Sequence, residues 1–319
     1  MDPVFAREVM SLAGIDTAGS QITPLPGGVS AEVALVSFGD RDLVIKRALS
    51  ELRVEEKWEA DPGRIVAEGE ALEWFHQLTP EHVPQPIAVV PERNALILPC
   101  APQPCPNMRT LLVNRPEDWN SDFGWVLGDL LARWHVADPT PARGTSLDDT
   151  SRLESLRLGP FYRDLAARWP DHAVAISEAV TELLGAKVTV VHGDFTPKNV
   201  LFFGDSLWVI DTEVAHIGNP VLDTASMLAH LLLKEVHWRG NGRVREAVAT
   251  TREGFLRGLS RCEASIPPSL GVHVGVILGV RVAGRARVDY LDAKGQEMAR
   301  DAAVALLNGA ILEEVVNRW

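Results

Sequence analysis

A chain of 319 residues with 46% hydrophobic content is long enough to bury a large core and to divide it between two lobes. Its 43 acidic residues against 31 basic ones leave a net charge of -12, which argues against a nucleic-acid partner held through backbone phosphates. Three cysteines without metal-ligand spacing argue against a disulfide framework and make a reducing cytoplasm the expected location.

The N-terminus, MDPVFAREVM, has no basic segment leading into an apolar one, so no signal peptide is expected. No apolar run reads as a membrane span. AEVALVSF (31–38) and DLVIKRA (42–48) have the composition of strands joined by a turn at GDRD. GRIVAEGEALEWFHQL (63–78) has helical periodicity. PQPIAVVPERNALILPC (84–100) reads as two more strands that turn at Pro91 to Asn94. After Leu98 the composition changes, and PCAPQPCPN reads as a stiff connector.

Beyond it the pattern is mostly helical. SDFGWVLGDLLARWHVA (121–137) carries an apolar stripe at Val126, Leu127, Leu130, Leu131 and Trp134. DHAVAISEAVTELLG (171–185) reads as a helix capped by Gly185, followed by short strands in KVTVV, NVLFF and SLWVID. NPVLDTASMLAHLLLKEV (219–236) places Asn219 at a helix cap and Pro220 at its first position. Two more helices are expected to close the chain. The last, in DAAVALLNGAILEEVVNRW, is apolar enough for a homodimer interface, with a plain core helix as the alternative. The order is thus α+β: a sheet-rich lobe over residues 1–99, a connector over 100–107 and a helical lobe over 108–319.

VVHGDFTPKNVLF (190–202) interrupts an apolar run with His192-Gly193-Asp194 and resumes it after Asn199, five residues beyond the Asp. Ile210-Asp211-x-Glu213 closes the next strand, where residues two apart share a side. Asp194, Asn199 and Asp211 are therefore expected to converge. Oxygen ligands of this kind suit Mg²⁺, and phosphoryl transfer needs an Asp at the attacking hydroxyl beside an Asn and an Asp on metal. The Asp-to-Asn spacing is that of the kinase loop H-R-D-x-x-x-x-N, with Gly in place of Arg. The plain alternative is that His192 and Asp194 shape a tight turn.

Lys46 is the one charge inside its apolar run and is a candidate for nucleotide phosphates; an edge-strand lysine is the alternative. Ile65, Glu68, Leu72 and Phe75 share one helix face, so Glu68 lies on an apolar stripe and needs a cation, for which Lys46 is the candidate. Glu70, Glu73 and Gln77 fall on the opposite face. Gly27-Gly28, with Ser30, permit close backbone approach to phosphates, although two glycines before a strand also make an ordinary turn.

These residues, together with LLARWH ending at His135, HGDFTPKN, VIDTE and GNPVLD, resemble the aminoglycoside phosphotransferase and choline kinase superfamily over nearly the whole chain. Within it, LVIKRALSELRVEEKWEADPGRIVAEGEAL, PEHVP and RVAGRARV are similar to the methylthioribose kinase family. The resemblance implies a bilobal protein-kinase-like fold and ATP- and Mg²⁺-dependent phosphorylation of a small-molecule hydroxyl, best matched by methylthioribose or a related sugar. It implies Asp194 at the attacking hydroxyl, Asn199, Asp211 and Glu213 at metal, and Lys46 with Glu68 at ATP phosphates. Adenine would lie against the backbone at Leu98 to Ala101, including Cys100. Arg281 and Arg285 would meet the substrate, and His192 and Asp223 would support the loop. For Asp223 the alternative is a carboxylate favoured by its helix N-terminus, and for His135 it is a satisfied core histidine.

An aminoglycoside or amino-alcohol acceptor is the competing reading. A non-catalytic kinase-like module would be expected to lack one of Lys46, Asp194, Asn199 and Asp211, all of which are present. The chain has no D-F-G or A-P-E signature of a protein kinase.

Overall fold

Five strands of the first hundred residues, β1 (Gln21–Leu25), β2 (Ala31–Ser37), β3 (Asp42–Ala48), β4 (Ala88–Val90) and β5 (Ala95–Pro99), form one antiparallel sheet in the order β1-β2-β3-β5-β4. The computed structural model describes residues 1–25, 28–39, 41–53 and 57–317. Period-two alternation gives β3 two faces. Leu43 and Ile45 pack with Ala95 and Ile97 of β5 against helix α1 (Pro3–Leu12) through Ala6, Val9 and Met10. Val44, Lys46 and Ala48 face the other way with Leu96 and Leu98, towards helix α2 (Arg64–Leu78). Strand pairing thus turns Lys46 towards α2.

Helix α2 is apolar over more than a stripe: Ile65, Ala67, Ala71, Leu72 and Phe75 are all buried, and Glu68 with them. Glu73 and Gln77 are exposed as the periodicity predicts. Glu70 is half-buried and accepts from the Ser146 amide at 2.9 Å.

No regular element spans the proline-rich stretch from Cys100 to Asn107. Helices α3 (Met108–Asn114) and α4 (Phe123–His135) follow. A continuous helical stretch then runs as α5 (Ser151–Leu153), a π-helix over Glu154–Arg163 and α6 (Asp164–Arg168). After α7 (Ala173–Gly185) come two small antiparallel pairs. Strand β6 (Thr189–Val191) pairs with β9 (His216–Gly218), and β7 (Val200–Phe203) with β8 (Ser206–Val209). Helices α8 (Val221–His237), α9 (Gly242–Leu259), α10 (Leu270–Ala283), α11 (Ala293–Leu307) and α12 (Leu312–Val316) complete the helical lobe.

Several local expectations shift. Helix α1, strand β1 and strand β9 lie outside the elements expected from the sequence, α1 although its buried Ala6, Val9 and Met10 follow helical spacing. Among the described residues four α-helices follow α8 where two are expected. The final apolar segment divides into α11 and α12 because Gly309 adopts φ 88 between them. Gly185 is the last helical residue and Ala186 is the cap. Pro220, one residue later than expected, is the N-cap of α8, while the Asn219 side chain still accepts from the Val221 amide at 3.1 Å. Glu263–Ala283 is apolar and long enough to cross a membrane by length and composition, contrary to the sequence reading, but α10 within it is core between α8 and α11.

The two lobes join through aromatic packing. Phe75 of α2 lies against Trp134 of α4, with ring centroids 4.2 Å apart, and Trp134 meets Phe195 edge-on at 5.9 Å. Offset and edge-to-face contacts of this kind add to area burial, so the sheet lobe is registered directly on the loop that follows β6.

Candidate active site

Strand β6 ends at Val191, and the next eight residues carry the H-G-D-x4-N pattern into β7. Gly193 adopts φ 77, and a Cβ there would come within 2.7 Å of the Val214 carbonyl oxygen. Only glycine meets both demands, which explains why the arginine of the protein-kinase loop has no counterpart here. Gly193→Ala is expected to cost about 2–3 kcal/mol of stability, read as a lower urea midpoint at unchanged slope.

The loop is held from beneath by Asp223 of α8, which is fully buried. The amides of His192 and Gly193 donate to its Oδ2 and Oδ1, both at 2.7 Å, and His135 Nε2 lies 3.4 Å from Oδ2. His135 is therefore a satisfied core histidine, with Nδ1 bonded to Ser265 Oγ at 2.7 Å. Asp223 acts as the loop's anchor rather than as a simple helix-end charge. His192 Nδ1 accepts from the Asp194 amide at 3.2 Å, so Nε2 carries the proton and donates to the Ile210 carbonyl at 3.1 Å. That bond ties the loop to the segment leading into Asp211.

Asp194 is buried between three partners. Asn199 Nδ2 donates to its Oδ2 at 3.0 Å, Lys198 Nζ lies 3.0 Å from Oδ2, and Arg157 Nη2 lies 2.8 Å from Oδ1. Burial pushes the carboxyl up, but Arg157 and Lys198 outweigh burial and the nearby Asp211, holding it below the usual carboxylate range. Arg157 comes from the π-helical stretch, a distortion common at functional sites. It also donates to the Gly193 carbonyl at 2.9 Å. No local pattern in the sequence marks Arg157.

Asp211 reaches the site differently from expectation. Strand β8 stops at Val209, and Asp211 adopts φ 68, so strand alternation does not align residues 211 and 213. The turn nevertheless brings oxygens of Glu68, Asp211 and Glu213 within 4.8 Å of one another. Lys46 Nζ lies 2.6 Å from Glu68 Oε1 and also hydrogen-bonds Asp211. Burial, with Asp211 and Glu213, pushes Glu68 up to about 7 against the pull of Lys46. Asp211 moves well below the usual range despite burial, because Lys46 and then Lys198 face it. Lys46 is raised, the carboxylates outweighing its desolvation. Glu213 pairs with Arg64 at 2.9 Å, and Arg64 also donates to the carbonyls of Leu49 and Ser30 at 2.9 and 2.6 Å. Arg64, like Arg157, has no sequence signal beyond its place at the start of a helix.

The donor set fits a hard cation. Glu68 Oε2 is buried without a hydrogen-bond partner, and Asn199 commits its amide nitrogen to Asp194, leaving its carbonyl oxygen for a ligand. Carboxylate and amide oxygens are the ligands Mg²⁺ prefers.

Of the remaining predicted residues, Gly27 lies outside the described residues. Gly28 is packed so closely that a Cβ would stand 1.9 Å from the Ala31 carbonyl oxygen. Ser30 lines the cavity beside Asp194. The Cys100 amide is committed to the Asp42 carbonyl at 3.1 Å and the Ala101 carbonyl accepts from Gln103 Nε2 at 3.3 Å, leaving the Cys100 carbonyl and the Ala101 amide as the polar groups there. Arg281 and Arg285 line the same cavity as Asp194, of about 410 Å³. Arg285 also pairs with Asp164 at 3.0 Å.

Comparison with curated protein sequences found no match. Among solved structures the fold is similar to amicoumacin kinase hAmiN in complex with AMP-PNP, Ca²⁺ and Ami, at TM-score 0.52 and 12% identity, covering 90% of this chain and 88% of that one. Aminoglycoside phosphotransferase APH(4)-Ia aligns at TM-score 0.52 and 13% identity over 97% of this chain and 100% of its own. An ethanolamine kinase from Plasmodium vivax aligns at TM-score 0.51 and 10% identity over 99% and 89%. At these identities the likeness concerns the fold. The sequence profile of the APH phosphotransferase enzyme family matches residues 21–264, well over half of the 319, so the chain belongs to that family and is a small-molecule phosphotransferase.

Proposed function

We propose that the protein transfers the γ-phosphoryl group of ATP to a hydroxyl of a small molecule. The observation that carries this reading is the meeting of Asp194 and Asp211 around Lys198, whose Nζ lies 3.0 Å from Asp194 and 3.9 Å from Asp211, with Asn199 bonded to Asp194 at 3.0 Å and the buried Lys46–Glu68 pair beside them. Asp194 orients the acceptor hydroxyl and takes its proton. Arg157 fixes that carboxylate, and its low basicity suits orientation more than early proton abstraction. Lys46, steadied by Glu68, holds nucleotide phosphates. Asn199 and Asp211 would hold Mg²⁺, with Glu213 in support, and the ion would neutralise phosphate charge. Ser30, Gly28 and the backbone at Cys100 would line the nucleotide's side of the cleft.

For the acceptor, the resemblance supports methylthioribose or a related sugar. The charge of the cavity separates this from an aminoglycoside or amino-alcohol. An ammonium-bearing acceptor would meet Arg109, Lys234 and Arg281 beside Asp194, an unfavourable approach in a partly desolvated site.

The test is ADP release from Mg-ATP with methylthioribose, related pentoses, choline, homoserine and several aminoglycosides. Turnover on a sugar and not on the cations is the expected result. Turnover confined to aminoglycosides or choline overturns the sugar reading and leaves the transfer chemistry standing. Failure to bind Mg-ATP overturns the nucleotide assignment.

A further inference from the structure

The cavity beside Asp194 contains a second set of groups that the transfer chemistry does not use. Lys234 of α8 is fully buried, yet its ammonium makes one hydrogen bond, to the His230 carbonyl one turn earlier at 3.1 Å, and lies 5.3 Å from the Tyr290 ring centroid. It has no carboxylate partner among the described residues. An ammonium has three donors, and a buried one without an anion is costly. Arg281, at the end of α10, donates from Nη1 to the Ala286 carbonyl at 3.0 Å, while its Nε is buried with no partner. The Tyr290 hydroxyl and His230 Nε2 are likewise buried and unpartnered. All four residues line the cavity that holds Asp194.

These groups come from α8, α10 and the loop after α10, so no single element's packing explains them. They lie close to the reacting centre. Arg281 and Arg157 both stack over Phe161, at 5.2 and 5.3 Å from its centroid, and Arg157 in turn holds Asp194. Mutual repulsion adds to the burial cost: desolvation, then Arg109 and Arg281, pushes Lys234 down to about 7. Arg109 has an anion, Asp289, at 2.5 Å; among the described residues neither Lys234 nor Arg281 forms an ion pair, and Asp194 acts on Arg281 only through its charge. Orphaned donors and unpaired cations converging on one cavity describe a site built for a negative charge.

We propose that the acceptor carries an acidic group, a carboxylate or a phosphate, which binds Lys234, Arg281 and the Tyr290 hydroxyl while its own hydroxyl faces Asp194. The preferred ligand is a hydroxylated acid or a phosphorylated sugar, bound more tightly than a neutral sugar such as methylthioribose or a cationic alcohol. This rests on the kinase reading of Asp194 and narrows its substrate.

The test titrates glycerol, glycerate and glycerol 3-phosphate by calorimetry, with Mg-AMP-PNP saturating so that the γ-phosphate's own place is filled. Glycerate or glycerol 3-phosphate is expected to bind about tenfold or more tighter than glycerol, and whichever of the two prevails distinguishes carboxylate from phosphate. Lys234→Met and Arg281→Gln are each expected to remove about tenfold of that preference while Mg-AMP-PNP affinity stays within about twofold, which also shows that the variants fold. Equal binding of glycerol and both anions, no binding of either anion, or unchanged anion binding in both variants overturns the acidic acceptor. Loss of Mg-AMP-PNP binding in the parent protein is a separate failure, of the nucleotide assignment; the anion titration then stands on its own.

Discussion

An Asp194→Asn variant is expected to lose about 10³-fold in kcat for phosphoryl transfer, with nucleotide affinity nearly unchanged. The amide keeps the shape of the side chain but removes the negative charge that Arg157 and Lys198 flank at 2.8 and 3.0 Å, and it cannot take a proton. The loss falls on kcat because the group acts on the attacking hydroxyl and not on the nucleotide, whose phosphates lie with Lys46. A drop in nucleotide affinity with intact kcat would reverse that assignment. The pH profile supplies an independent check. The Asp194 carboxyl titrates below the usual carboxylate range, so it remains ionised through neutral and mildly acidic pH. The acid limb of the rate that it controls appears only when pH falls below that range, and Arg157→Ala moves the limb upward.

The second large effect is on stability. Asp223→Ala removes the acceptor for two backbone amides, each at 2.7 Å, and the carboxylate facing His135. The amides of His192 and Gly193 are left buried and unpaired in a site that water reaches poorly. The expected cost is about 3–5 kcal/mol, measured by urea denaturation at unchanged slope. Activity falls as well, because the same two amides set the path of the chain into Asp194. Asp223→Asn keeps one acceptor but turns an NH₂ donor towards a second donor, so it recovers only part of the loss. Unaltered stability in Asp223→Ala would mean that the loop is held by Arg157 and the aromatic contacts instead.

Much of the site follows from short-range chemistry. Lys46 and Glu68 lie 22 residues apart on neighbouring elements, one facing by period two and the other by period 3.6, and both rules hold in the structure. The Asp194-to-Asn199 spacing is likewise closed locally, by a hydrogen bond that Asn199 Nδ2 donates to the Asp194 carbonyl at 2.9 Å. Asp211 shows where such rules end. Its position comes from a left-handed turn at φ 68, and strand alternation reaches the same neighbourhood by the wrong route.

The sequence by itself determined the order of sheet and helix, the H-G-D-x4-N loop and the buried Lys46–Glu68 pair, because each rests on periodicity or on spacing within one or two elements. The tertiary structure alone decided which cations besides Lys46 surround the site's carboxylates. Arg64 reaches Glu213 across 149 residues, and Arg157 leaves a π-helical turn to meet Asp194. Lys234, Arg281 and Tyr290 converge on one cavity, and among the described residues no carboxylate pairs with Lys234 or Arg281. Arginine and lysine are common on any surface and their long side chains reach far from their backbone, so a sequence shows that they exist but not which of them the packing buries. Burial changes a solvated charge into one that requires a partner, and it is settled only when α8, α10 and the π-helical stretch pack together around the cavity.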